Sequence, residues 1–143
     1  MIAIGADHGG FELKEKIKNE LKNKYDFKDY GTFSTDSVDY PKIAYNVAKD
    51  VAEKKVDCGI LICRTGVGMS IVANKVRGIR CALCYNEKVG KLCKEHNNAN
   101  MISLPADMLT LDEAVNIIHN WMEAQFAGGR HEKRVNMIEE IMK

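Results

Sequence analysis

Short apolar runs alternate along this chain with segments of helical period, and that alternation leaves few folds open to it. Ile2–Ala6 is a strand ending at Asp7-His8-Gly9-Gly10, and Leu13, Ile17 and Leu21 then mark a helix face. Asp26–Gly31 reads as a second strand, polar enough to lie nearer an edge. Thr32–Tyr40 is a loop, and Pro41 suits the first turn of a helix on which Ala44, Val47, Ala48, Val51 and Ala52 share a face. Val56–Cys63, Ile79–Cys84 and Ala99–Leu104 are the remaining strands, with a helix from near Asn86 to Glu95 between the last two. Thr110-Leu-Asp-Glu113 is a capping box opening a long helix with Ala114, Ile117, Ile118, Trp121 and Met122 on its core face. After Gly128-Gly129 a last helix begins near Arg130, with Val135, Ile138 and Met142 on one side. Such βαβ alternation predicts an α/β fold with a parallel sheet covered on both faces. Ligands in such folds bind outside the carboxyl ends of the strands, where the strand order reverses.

Composition removes several classes of function. A chain of 143 residues without internal repeat or linker suits one domain with a genuine core. A formal net charge of +1 provides no basic stripe for nucleic acid, and no apolar run is long enough to span a bilayer. The opening MIAIGA has neither a basic n-region nor a cleavage site, so no secretory signal is expected. Five cysteines, an odd number without framework spacing, point to a reducing cytoplasm. Cys81 and Cys84 form a C-x-x-C, but redox or zinc chemistry needs both thiols on one side of a turn. Within IRCALC, read as a strand, they point to opposite faces, which makes them buried structural cysteines.

The stretch Ile60–Lys75, ILICRTGVGMSIVANK, joins a strand, a glycine-rich turn carrying one thiol, and the first turn of a helix. Backbone N–H groups in such a loop converge, and the helix N-terminus adds partial positive charge that favours a thiolate at Cys63. Asp7-His8 follows the first strand, Cys63-Arg64-Thr65 the third and Asn86-Glu87 the fourth. His96-Asn97-Asn98 precedes the fifth strand and so lies at the other end of the sheet. It joins the same site only across a dimer interface or by a loop folding over. Arg130 and Arg134 stand at i and i+4, spaced to clamp a phosphate, though a solvated basic turn would look the same. His119, inside an amphipathic helix, reads as structural. A thiolate can move a proton next to a carbonyl while oriented N–H groups stabilise the ene-diolate. Cysteine phosphatases carry Cys-x5-Arg instead, and Met69 stands where that arginine would be.

These residues resemble a known family. DHGGFELK, SVDYP at Ser37–Pro41, GILIC-x-TGVGMSI-x-ANK, GIRCAL, EHNNAN at Glu95–Asn100 and GGRHEKRV are similar to the motifs of type B ribose-5-phosphate isomerases, grouped with galactose-6-phosphate isomerase subunits. The resemblance runs along nearly the whole chain. It implies a Rossmann-like three-layer α/β/α sandwich with a five-stranded parallel sheet, one domain over residues 1–143, and a homodimer or a dimer of dimers. The active site then lies at the subunit interface, with the helix of about residues 130–143 packed on the partner. The implied reaction interconverts ribose 5-phosphate and ribulose 5-phosphate, a step of the pentose phosphate pathway, with no metal and no organic cofactor. By the same resemblance Cys63 is the base between C1 and C2, His96 opens the ring with Asp7 opposite, and Thr65 shuttles a proton between O1 and O2. Amides across Arg64, Gly66, Val67 and Gly68, with Ser70 nearby, form the anion hole. His8, Arg130 and Arg134 match phosphate ligands, and Tyr40 and Asn97 match sugar contacts. A branch with a glutamate base carries it where this chain has Met69, which cannot act as a base. A different aldose phosphate, such as allose 6-phosphate or galactose 6-phosphate, and a non-catalytic sugar-phosphate-binding domain are the alternatives.

Two positions depart from the family pattern. Arg64 stands where the family carries glycine, and if that residue needs positive φ the arginine costs about 1–2 kcal/mol. Asp107 lies where members carry a phosphate-binding arginine nearby. Either Arg64 takes over the phosphate contact, or it pairs with Asp107 across the interface, or both simply face solvent.

Overall fold

The computed structural model describes residues 1–142, and the alternation read from the sequence is realised throughout them. The strands are β1 (Ile2–Ala6), β2 (Phe27–Asp29), β3 (Cys58–Cys63), β4 (Cys81–Leu83) and β5 (Met101–Pro105). The helices are α1 (Phe11–Leu21), α2 (Tyr40–Ala52), α3 (Val67–Ala73), α4 (Glu87–Asn97), α5 (Leu111–Glu123) and α6 (Arg130–Ile141). All strand pairs are parallel, in the order β2-β1-β3-β5-β4. The chain winds one way from β1 to β2 and the other way from β1 to β3, so the reversal of order falls between β1 and β3. Ala6 is in register with Ile62, which sets Asp7 and Cys63 side by side at that point.

Period-two alternation divides β3 between two cores. Ile60 and Ile62 pack with Ile4, Ile102, Ile117 and the fully buried Trp121, on the side of α1, α4 and α5. Leu61 and Cys63 pack with Val47, Met69 and Met101, on the side of α2 and α3. The result is the expected three-layer sandwich. Cys81 belongs to the second core and Cys84 to the first, so the C-x-x-C thiols do lie on opposite faces. All five cysteines are free. The Cys84 thiol sits 3.9 Å from that of Cys93, and this contact together with burial pushes it up.

Several boundaries differ from the sequence reading, each for a local reason. β2 stops at Asp29 because the Asp29 carboxylate takes the Gly31 N–H at 2.8 Å and Gly31 turns to φ +93°. β4 is only three residues long, since Asn100 instead holds the chain before it, accepting from Arg80 N–H and donating to the Gly78 carbonyl. α4 runs on to Asn97, so His96 and Asn97 form its last turn rather than a loop. Thr110 and Glu113 make the predicted reciprocal cap of α5. α6 spans Arg130–Ile141; Lys143, the end of the expected segment, lies outside the described residues.

One ion cluster is buried beneath the loop that follows β2. Lys14, fully shielded on α1, donates to both Asp29 oxygens at 2.8 and 2.6 Å, and Lys18 adds a contact of 2.7 Å. Burial alone would raise the Asp29 carboxyl, but the two lysines and the Gly31 amide overcome it and hold the group below its usual range.

Candidate active site

Gly66 makes the thiol loop possible. It adopts φ +73°, and a Cβ there would stand 2.6 Å from Leu83 and 3.2 Å from the Leu104 carbonyl carbon. This turn brings the Gly66 N–H to 3.1 Å from Cys63 Sγ and the Val67 N–H to 3.3 Å from Thr65 Oγ1. Ser103 Oγ, fully buried on β5, secures the turn by donating to the Gly66 carbonyl at 2.6 Å. Ser70 is buried and donates to the Val67 carbonyl at 2.7 Å, within the first turn of α3. Met69 is fully buried in the core beneath.

On the β1 side, Asp7 is 8% exposed and one carboxylate oxygen accepts the Gly10 N–H at 3.1 Å. The Val38 N–H donates to His8 Nδ1 at 3.2 Å, which leaves Nε2 for a ligand. Tyr40 opens α2 with its ring against Gly68, where an added Cβ would stand 2.6 Å from the phenol. Asp7, His8, Tyr40, Cys63, Arg64, Thr65, Val67, Gly68 and Ile71 line one cleft of about 430 Å³. A second, more polar cavity of about 470 Å³ adjoins it through His8 and Arg64. A third cavity of about 420 Å³, lined by apolar residues such as Ile79, Ile138 and Met142, offers little chemistry. Its Cys81 thiol is pushed up to about 12 by burial, and its Glu139 is engaged by Arg80.

The two departures meet within one subunit. Arg64 lies 3.6 Å from Asp107, and the Asp107 N–H donates to the Arg64 carbonyl at 3.0 Å, so the pair forms inside the chain rather than across an interface. Side-chain exposures of 64% and 50% make this a weak surface pair, worth at most about 1 kcal/mol. Among the described residues only Lys54 and Asn98 are non-glycine residues with positive φ, so Arg64 carries no backbone strain. Its side chain lies across Gly9 at the rim of the cleft.

The remaining sequence candidates gather elsewhere. His96, in the last turn of α4, stacks on His131 of α6 with ring centroids 4.3 Å apart and planes 10° from parallel. Partial desolvation, then the neighbouring His96, Arg130 and Arg134, hold the His131 imidazole below its usual range. Arg130, Arg134 and Asn97 are exposed, and none of these residues lines the thiol cleft. His119 contacts Lys24 and Tyr25, in keeping with a structural role. Val38 and Ile71 carry no mark of the cleft in the sequence: a backbone amide leaves no side-chain signal, and Ile71 reads as any helix residue. The His96–His131 stack is equally silent there, since those residues lie far apart along the chain.

A carboxylate, an imidazole, a thiol and a hydroxyl meeting where a parallel sheet reverses its order is the layout of a doubly wound α/β enzyme. Comparison with known proteins narrows this. The sequence model of the ribose/galactose isomerase family matches residues 2–138. The chain is 43% identical over 141 residues to the ribose-5-phosphate isomerase B of Escherichia coli, covering 98% of this chain and 95% of that one. It superposes on the Clostridium thermocellum ribose-5-phosphate isomerase B with a TM-score of 0.96 at 47% identity, covering 98% and 95% of the two chains. With the Mycoplasma genitalium enzyme, solved with bound ribulose-5-phosphate, the TM-score is 0.93 at 39% identity, covering 98% and 94%. The chain belongs to the ribose/galactose isomerase family.

Proposed function

We propose that this protein interconverts ribose 5-phosphate and ribulose 5-phosphate, acting as one domain over residues 1–143 in a homodimer, with Cys63 as the base. The observation that carries the reading is the convergence of Asp7, His8, Tyr40, Cys63 and Thr65 on one cleft, in a chain whose relatives bear that activity in their names. In this mechanism the Cys63 thiolate takes the C2 proton of the open-chain aldose, leaving a cis-enediolate, and returns a proton to C1. The Thr65 hydroxyl carries the proton between O1 and O2. Amides of the Arg64–Gly68 turn, with Ser70 behind them, hold the negative charge on the oxygens. Asp7 assists ring opening from one side of the sugar, and His96 of the partner subunit from the other. His8, Arg130 and Arg134 bind the phosphate, with Arg64 at the rim, while Tyr40 and Asn97 contact the sugar hydroxyls. No step draws on a metal or an organic cofactor.

The exposed apolar residues Met137, Ile138 and Ile141 on α6 support packing of that helix on a partner. Such packing would bring the His96, Arg130 and Arg134 half of one subunit to the thiol cleft of the other. A reducing cytoplasm fits the five free cysteines and a step in pentose phosphate metabolism. Among the described residues no helix is long and apolar enough to cross a membrane. A coupled isomerase assay tests the proposal on ribose 5-phosphate, allose 6-phosphate and galactose 6-phosphate, with Cys63→Ala beside the parent. Turnover of ribose 5-phosphate abolished by Cys63→Ala is expected. Preference for a six-carbon sugar would shift the substrate, and a fully active Cys63→Ala would remove the base.

A further inference from the structure

The last carbonyls of a helix have no partners within it, and here the end of α4 finds one outside. Arg80, just before β4, donates from Nε to the Asn97 carbonyl at 3.0 Å and to the Asn98 carbonyl at 3.3 Å, and from Nη2 to the Asn98 carbonyl at 3.0 Å. Its remaining nitrogen, Nη1, is paired with Glu139 on α6. The Arg80 backbone is held as firmly: its N–H donates to Asn100 Oδ1 at 2.9 Å, and its carbonyl accepts from Asn100 and Met101. The side chain is only 18% exposed, so solvent does little to loosen the fork. A cation at a helix C-terminus also opposes the negative end of the helix dipole.

We propose that Arg80 is a positioning residue for the second half of the site. Its guanidinium fixes the end of α4, which carries His96 and Asn97, against α6, which carries Arg130 and Arg134. Arg80 does not line the thiol cleft and acts only through these segments. The His96–His131 stack spans the same two helices and depends on the same spacing. The inference rests on the isomerase reading above, because it is that reading which brings both helices to the substrate. The planar fork is the essential feature: a lysine keeps the charge and the dipole contact but cannot reach two carbonyls and a carboxylate together.

Arg80→Lys, Glu139→Gln and the parent separate the possibilities. Kinetics on ribose 5-phosphate are measured beside the rate of Cys63 alkylation by iodoacetamide and the thermal midpoint. For Arg80→Lys a kcat loss of about tenfold is expected from misplaced groups, with Cys63 alkylation within about twofold of the parent. Glu139→Gln weakens the tie to α6 alone, exchanging a charge-assisted bond for a neutral one, and its KM should rise about threefold with kcat nearly unchanged. Should Arg80→Lys fail to fold, the Glu139→Gln split between KM and kcat carries the test, and a parental KM in that variant would overturn the inference. Parental kinetics in Arg80→Lys, or kcat and Cys63 alkylation falling together, would overturn the inference. A parent without isomerase activity would refute the isomerase reading, and the inference with it, before any variant is compared.

Discussion

Asp29→Asn should destabilise this protein far more than an ordinary surface change. The carboxylate is the shared counter-ion of Lys14, whose side chain is fully buried, and of Lys18, 30% exposed. Breaking a buried pair by removing one partner typically costs about 3–5 kcal/mol, because the other charge stays buried. Glu15, 3.1 Å from Lys14 but 44% exposed, remains as a poorer partner, and asparagine can still accept the Gly31 N–H. Those two compensations place the loss near the lower bound, about 3 kcal/mol, or a fall of about 10 °C in Tm for a chain of this size. Adding Lys14→Met removes the stranded charge and leaves an apolar side chain between Phe11 and Phe33, whose rings already flank the ammonium group. The double variant should therefore recover more than half of the loss. The pH dependence has a definite sign. The Asp29 carboxyl is held below its unfolded value, so its contribution is complete above about pH 4 and is lost as pH falls through the folded value. Parent and variant should thus converge in acid. Urea unfolding at pH 7 and pH 3 measures all of this. A loss under about 1 kcal/mol at pH 7, or a double variant no better than the single one, would refute the account of Asp29 as an obligatory counter-ion.

Iodoacetamide at pH 8 should label Cys63 first and abolish activity, with a sugar phosphate protecting. Burial pushes the Cys58 thiol up to about 11 and Cys81 to about 12, so peptide mapping that found either one labelled first would contradict this. Gly68→Ala drives a methyl into the Tyr40 ring, and KM should rise severalfold with Tm little changed; a parental KM would show that the ring position is immaterial. Arg64→Gly should cost no more than about 1–2 kcal/mol, since it breaks an exposed ion pair and adds the backbone freedom of a glycine. Its KM for ribose 5-phosphate should rise if Arg64 meets the phosphate, and an unchanged or lower KM would sink that contact.

What the sequence alone determined is local and periodic. Side chains two apart in a strand share a face, which was enough to separate Cys81 from Cys84, and the i, i+3, i+4 spacing picked out the buried stripe of α2. The thiol loop was legible for the same reason: a glycine-rich turn after an apolar strand has few conformations available, and Gly66 adopts the left-handed one. Even the misplacement of His96 relative to Cys63 could be read, because chain direction in a parallel sheet decides which end a loop occupies.

Tertiary structure decided whatever joins residues distant along the chain. Nothing local required β5 to insert between β3 and β4, or Asn100 to replace the ladder that was expected to lengthen β4. Arg64 and Asp107 were both conspicuous, but only the parallel register of β3 with β5, Cys63 opposite Pro105, makes them partners within one subunit. Arg80 and Asp29 look like ordinary charged residues beside strands. Their weight comes from burial among groups that the fold brings together, where a charge without its partner is costly and a guanidinium can satisfy carbonyls that a helix end leaves open.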